Sequence, residues 1–131
     1  MREILFRGKR TDNGEWIYGD LMQNVDCIKI REQEKDVKHI AKSFEIDLET
    51  VGQYTDLTDK NGKRIFEGDI LGSRYDDLYP DDVAIEVVTW FRNGWYIQQG
   101  ENLPYALDED GVLPGSEIIG NITDNPELLE K

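Results

Sequence analysis

The sequence predicts a mainly β protein, with an N-terminal β-hairpin lobe (residues 1–63) and an SH3-like small barrel (residues 64–131), and with helix confined to a short C-terminal segment. Three observations lead there. Asn-Gly pairs stand at Asn13-Gly14, Asn61-Gly62 and Asn93-Gly94. Both central residues of a type I′ hairpin turn need positive φ, which Gly adopts freely and Asn tolerates. The runs flanking these pairs are rich in β-branched and aromatic residues, and Phe44, Glu45, Ile46, Asp47, Leu48 alternates strictly between apolar and acidic, a period of two that argues against helix there.

Taken in order, Ile4, Leu5 and Phe6 are expected to pair with Trp16, Ile17 and Tyr18 across a polar loop from Lys9 to Gly14. Cys27–Ile30 and Phe44–Leu48 read as further strands, and Arg31–Lys38, which has no apolar stripe, as an exposed loop or a short solvated helix. The run Ala84–Phe91 followed by Trp95, Tyr96 and Ile97 reads as a hairpin. A two-residue Asn93-Gly94 loop would set Phe91 opposite Tyr96 and Trp90 opposite Ile97, covering both faces of the ribbon. Asp76–Asp82 and Glu101–Gly115 are acidic, contain Pro80, Pro104 and Pro114, and read as loops. At the end, Asn125 can cap, Pro126 suits the first helical position and Glu127 favours the positive end of the dipole, giving a turn or two through Leu128 and Leu129.

A chain of 131 residues with 38% hydrophobic content can bury one core, or the cores of two small lobes. No apolar run approaches the roughly 20 residues that span a bilayer, and Met1, Arg2, Glu3 does not open a secretory signal, so a host-cell cytoplasmic location is expected. The single cysteine, Cys27, precludes an internal disulfide and reads as a small buried hydrophobe. The only histidine, His39, stands in another segment, and no motif links the two into a catalytic pair. Charge is unevenly distributed. Residues 1–66 hold 12 Lys+Arg and 13 Asp+Glu, a net of −1, whereas residues 67–131 hold 3 and 15, a net of −12. The second half therefore repels phosphate backbones and attracts basic surfaces, which argues against direct nucleic-acid binding.

The stretch VGQYTDLTDKNGKRIFEGDIL, Val51–Leu71, resembles the signature of the YopX-like family of phage and prophage proteins. The opening MREILFRG and the closing EIIGNITDNPELLE resemble the family's two ends. The family commonly has Gly where this chain has Asp56, which implies a left-handed backbone there, a conformation Asp adopts at modest cost. The resemblance implies a phage or prophage context and transfers no catalytic residue. The signature's own residues have structural readings: Gly52 for close backbone approach, Asn61-Gly62 for a hairpin, Gly68-Asp69 for the bend opening the next strand. A glycine and an acid before an apolar strand recur in SH3-like barrels, and one is expected from about Arg64 to Thr123.

The EF-hand template fails around both Gly111 and Gly62, so no calcium loop is expected. Glu67 and Asp69 lie two apart and, joined by Asp124, could supply a small metal-dependent hydrolase, but the second half offers only Arg74 and Arg92 besides Lys131 to accompany them. No P-loop, dinucleotide fingerprint, nucleophile elbow or zinc-protease motif occurs, and no cofactor is expected. Trp90, Phe91, Trp95 and Tyr96 would make a stacking platform for single strands, but Asp81, Asp82, Glu86 and Glu101 border them, so core or subunit contact is the better account. What remains is a non-catalytic accessory protein that binds another protein, as a homo-oligomer or with a basic host or phage partner. In its strongest form it mimics nucleic acid through Asp76, Asp77, Asp81, Asp82, Asp108, Glu109 and Asp110.

Overall fold

The structure, a computed structural model, describes residues 2–33, 42–74, 83–100, 104–107 and 115–130. It is mainly β, with every strand pair antiparallel, and helix among these residues is limited to short 3₁₀ turns such as Leu48–Thr50 and Pro126–Leu129. Among the described residues no helix is long and apolar enough to cross a membrane. The chain divides into two compact units, Met1–Tyr54 and Thr55–Lys131.

In the first unit, strands β1 (Phe6–Lys9), β2 (Trp16–Gln23), β3 (Ile28–Glu32) and β4 (Ser43–Glu45) lie in the order β4-β3-β2-β1, and the start of β5 (Gly52–Thr58) pairs with β1. Ile17, Ile30 and Ile46 form the core, with Phe6, Leu21, Phe44 and Val51 packed against it. Two glycines in this sheet hold their places for lack of room. A Cβ on Gly8 would collide with the Ile46 side chain, and one on Gly19 with the carbonyl of Arg31 on the neighbouring strand.

The first hairpin differs from expectation by a shift along the chain. Pairing begins at Phe6↔Gly19 and ends at Lys9↔Trp16, while Ile4 is exposed. The Arg10–Glu15 loop is closed by Arg10 N–H to Glu15 O at 2.9 Å, and Gly14 supplies φ 73. The alternating run Phe44–Leu48 is strand only to Glu45, with Ile46 bridged to Arg10. Asp47 then stops it, because its carboxylate accepts the Glu49 N–H and caps the 3₁₀ turn, which leaves Leu48 exposed. Arg31 and Glu32 extend β3 where a loop was expected, and residues 34–41, with His39, lie outside the described residues. Cys27 is half-buried and precedes β3.

In the second unit, β5 continues beside β6 (Arg64–Phe66), and a five-stranded antiparallel sheet follows. Its strands are β7 (Asp69–Arg74), β8 (Val83–Phe91), β9 (Gly94–Gln98), β10 (Tyr105–Ala106) and β11 (Ser116–Asn121), ordered β10-β9-β8-β7-β11. The sheet is consistent with the small barrel expected from sequence but is not closed, since no pairing among the described residues joins β10 to β11. Ile65, Leu71, Val88, Ile97 and Leu107 form its core, with Leu57, Trp95 and Ile118 against it. The Glu101–Gly115 stretch, read as loop, contributes both β10 and a core residue. Leu107 donates its N–H to Trp95 O at 3.0 Å.

The β8–β9 hairpin is present with a different register. Phe91 pairs with Gly94, Trp90 with Trp95 and Val88 with Ile97, so the two-residue loop is Arg92-Asn93. The left-handed residue is Arg92, at φ 58. An arginine there is unfavourable by roughly 1–2 kcal/mol, and aromatic contacts offset it. The Trp90 and Trp95 rings meet edge to face at 4.8 Å, Phe91 and Tyr96 at 5.4 Å, and the Arg92 guanidinium lies 5.0 Å from the Phe91 ring centre. The displacement is even, so each side chain keeps the face it was expected to occupy.

Candidate functional site

The family-like stretch builds a hydrogen-bonded junction within the second unit, and Asp59 is its hub. Loop residues 59–63 reverse the chain between β5 and β6, with Gly62 at φ 79 and Gly62 N–H donating to Asp59 O at 3.0 Å. The buried Asp59 carboxylate accepts three backbone N–H groups, from Asn61 (2.9 Å), Lys63 (3.0 Å) and Ile118 of β11 in the five-stranded sheet (2.9 Å). Burial pushes this carboxyl up, but the donors on Ile118, Lys63 and Asn61 outweigh it and hold the group below the ordinary carboxylate range. The sequence signal was an acid two residues before Asn-Gly, an Asx-turn pattern. Nothing local points to Ile118.

The Glu67-Gly68-Asp69 triplet makes the second half of the junction. Gly68 has φ 90, donates its N–H to Val88 O and accepts from Ile122 N–H, both at 2.9 Å, so one turn ties β8 to the end of β11. Asp69 is fully buried, and its carboxylate accepts the Phe66 N–H at 2.7 Å. Asp56 has φ 69, the left-handed conformation expected at the position where the family has glycine. Beside it the Thr55 hydroxyl donates to Ile65 O at 2.9 Å and accepts from Leu57 N–H at 3.2 Å, which satisfies the backbone around the kink. Gly52 is buried in β5 opposite Arg7.

These contacts bear on the carboxylates considered for catalysis. Asp69 is occupied in its turn, and Asp124 accepts from Asn121 Nδ2 at 3.2 Å. Among the described residues no group of three or more His, Cys, Asp or Glu is placed to share a metal ion. The four aromatics do not form one platform. Trp90 and Trp95 pair on the face that carries Val88 and Ile97, and Phe91 and Tyr96 lie on the opposite face.

Glu86, expected at the border of those rings in solvent, is instead buried between Ala84 and Val88, where Ser73 Oγ donates to it at 3.0 Å. Burial raises its pKa, and the serine bond offsets part of that. The acidic residues Asp76, Asp77, Asp81, Asp82, Asp108, Glu109 and Asp110 lie outside the described residues, as does Glu101.

Sequence reasoning gave no hint of an apolar groove on the outer face of β8 and β9. Ile85, Val87, Thr89 and Gln98 make its floor, and Ile122, Leu128, Leu129 and Glu130 wall it from the C-terminal side, enclosing about 610 Å³. Asn125 sets the wall's position differently than expected. Its side chain does not cap the 3₁₀ turn but accepts the Asn121 N–H at 3.2 Å, crossing Gly120, where a Cβ would strike the Asn125 amide. Helix formation accordingly stops at a single 3₁₀ turn.

The family described as YopX protein matches residues 5–130, nearly the whole chain and with it the junction around Asp59 and Gly68. The chain belongs to the YopX family. This YopX-family chain is also similar in fold to a crystal structure of protein EF1440 from Enterococcus faecalis. The two share 23% identity at a TM-score of 0.60, and the match covers 99% of this chain and 100% of that one. No curated protein matches the chain. The similarity to the Enterococcus protein establishes shared architecture.

Proposed function

We propose that this YopX-family chain works by binding another protein, without catalysis, and that the negative charge of its second half selects a basic partner in a phage or prophage context. The observation that carries the reading is the charge division, a net of −1 over residues 1–66 against −12 over residues 67–131. A field of one sign on one half of a small protein steers oppositely charged partners and repels nucleic acid. In the strong form of the reading, the carboxylates of Asp76, Asp77, Asp81, Asp82, Asp108, Glu109 and Asp110 stand in for phosphates in a nucleic-acid-binding protein's groove.

The sheet ends favour recognition by side chains over addition of a strand. Strand β10 has two residues, β4 has three, and β11 is irregular between Ile118 and Gly120, devices that blunt an edge. A homo-oligomer belongs to the same proposal, its subunits meeting through side-chain faces. The test is affinity capture from infected or lysogenic cell extract at low and at high salt. A basic protein retained at low salt and released at high salt is the expected result. A partner held equally at both, or none, would count against the charge reading.

A further inference from the structure

We infer that the groove on the outer face of β8 and β9 is the docking site for a basic peptide segment of the partner. An aliphatic side chain would seat among Val87, Ile122 and Leu129, and a lysine or arginine would lie against Glu130. This rests on the protein-binding reading above and adds where the partner sits and what chemistry it brings.

The groove has the size of a site for a few side chains, about 610 Å³, within the roughly 300–1,000 Å³ common for ligand sites. Its walls expose apolar surface, with Ile122 and Leu129 each 44% exposed. The floor is rigid, since Ile85, Val87 and Thr89 alternate along β8 with the buried Ala84, Glu86 and Val88. Such a walled apolar seat suits a single anchoring side chain, the kind of contact that dominates binding energy.

Charge decides between occupants. Of the acids from Ser116 to Glu130, Glu117 already faces Lys60 at 3.8 Å and Asp124 accepts from Asn121. Glu130 itself lines the groove, and Lys131, next in the chain, lies outside the described residues. An anionic amphiphile such as a fatty acid would place its carboxylate beside Glu130. A second copy meeting groove to groove would set Glu130 against its own Glu130, so a homo-oligomer joins through another face. An aliphatic side chain flanked by a cation meets both the apolar wall and Glu130.

The test uses the full chain with methyl-labelled Ile, Leu and Val, titrated with a synthetic alternating Lys-Leu peptide and with its Glu-Leu counterpart. The Lys-Leu peptide is expected to shift the methyl signals of Val87, Ile122, Leu128 and Leu129, and the Glu-Leu peptide to leave them in place. Leu129→Arg, at a half-exposed position, is expected to weaken binding about tenfold or more. Glu130→Gln, which disturbs no packing, is expected to weaken it severalfold and to flatten its salt dependence.

Equal response to both peptides, shifts confined to other regions, or unchanged affinity in both variants would overturn the assignment. Concentration-dependent shifts of the same methyls without peptide would also overturn it, giving the groove to a second copy. The two levels separate in capture experiments. A cellular partner held alike by wild type and Leu129→Arg removes the groove assignment and leaves protein binding in place, whereas peptide binding with no cellular partner does the reverse.

Discussion

Replacing Asp59 should unravel the junction on which the second unit depends, and the structure sets the size of the effect. In Asp59→Ala the N–H groups of Asn61, Lys63 and Ile118, now held at 2.9–3.0 Å, lose their acceptor in a buried site. A hydrogen bond to a charged group contributes roughly 1.5–3 kcal/mol. Three bonds to one carboxylate are not additive, so the loss should total about 4 kcal/mol. In Asp59→Asn one oxygen keeps the Asn61 and Lys63 bonds, and the amide nitrogen then faces the Ile118 N–H, a loss of about 2 kcal/mol. For a chain of this length about 4 °C accompanies each kcal/mol, so the midpoints should fall by about 16 and 8 °C.

The assay is thermal unfolding followed by Trp fluorescence and circular dichroism. The pH dependence has a defined sign. Because Asp59's folded pKa is depressed, its contribution is full above the ordinary aspartate value of about 3.9. It is lost as pH falls through the lower folded value. The gap between wild type and Asp59→Asn should therefore narrow in acid below about pH 4. A midpoint for Asp59→Ala within about 1 °C of wild type would refute this account of the junction.

Other outcomes follow from the same structure. Glu86→Gln should raise the melting midpoint at neutral pH, since the folded pKa of Glu86 is raised by burial and the amide still accepts from Ser73. The gain should vanish at or below the ordinary glutamate value of about 4.3, where the wild-type carboxyl is protonated in both states, and pH-resolved melts check this. Gly19→Ala drives a methyl into the Arg31 carbonyl and should lower stability by about 1–3 kcal/mol in a urea titration, as overpacking does. Asp56→Val places a β-branched residue at φ 69 and should cost about 1–2 kcal/mol, whereas Asp56→Gly should be neutral or stabilising in the same titration.

What could be seen in the letters was what local chemistry decides. Hairpins at Asn13-Gly14 and Asn61-Gly62, the aromatic ribbon of β8 and β9, and the left-handed backbone at Asp56 all follow from which residues tolerate a given φ or suit a pleated surface. The Arg92-Asn93 loop did not, because the local preference of Asn-Gly lost to pairing of Trp90 with Trp95 and Val88 with Ile97. The role of Asp59 was hidden because its third donor, Ile118, lies 59 residues away. Glu86 reads as a surface acid until the face it shares with Ala84 and Val88 is known. The groove brings Leu128 and Leu129, just after the Asn125 bond to Asn121, beside β8, a tertiary event without a sequence period.

The claim that negative charge in the second half selects the partner is tested most directly by neutralising it. In a variant carrying amides at Asp76, Asp77, Asp81, Asp82, Asp108, Glu109 and Asp110, the account predicts an unchanged melting midpoint and loss of the cellular protein that wild type captures at low salt. Retention of that protein at wild-type yield would contradict it.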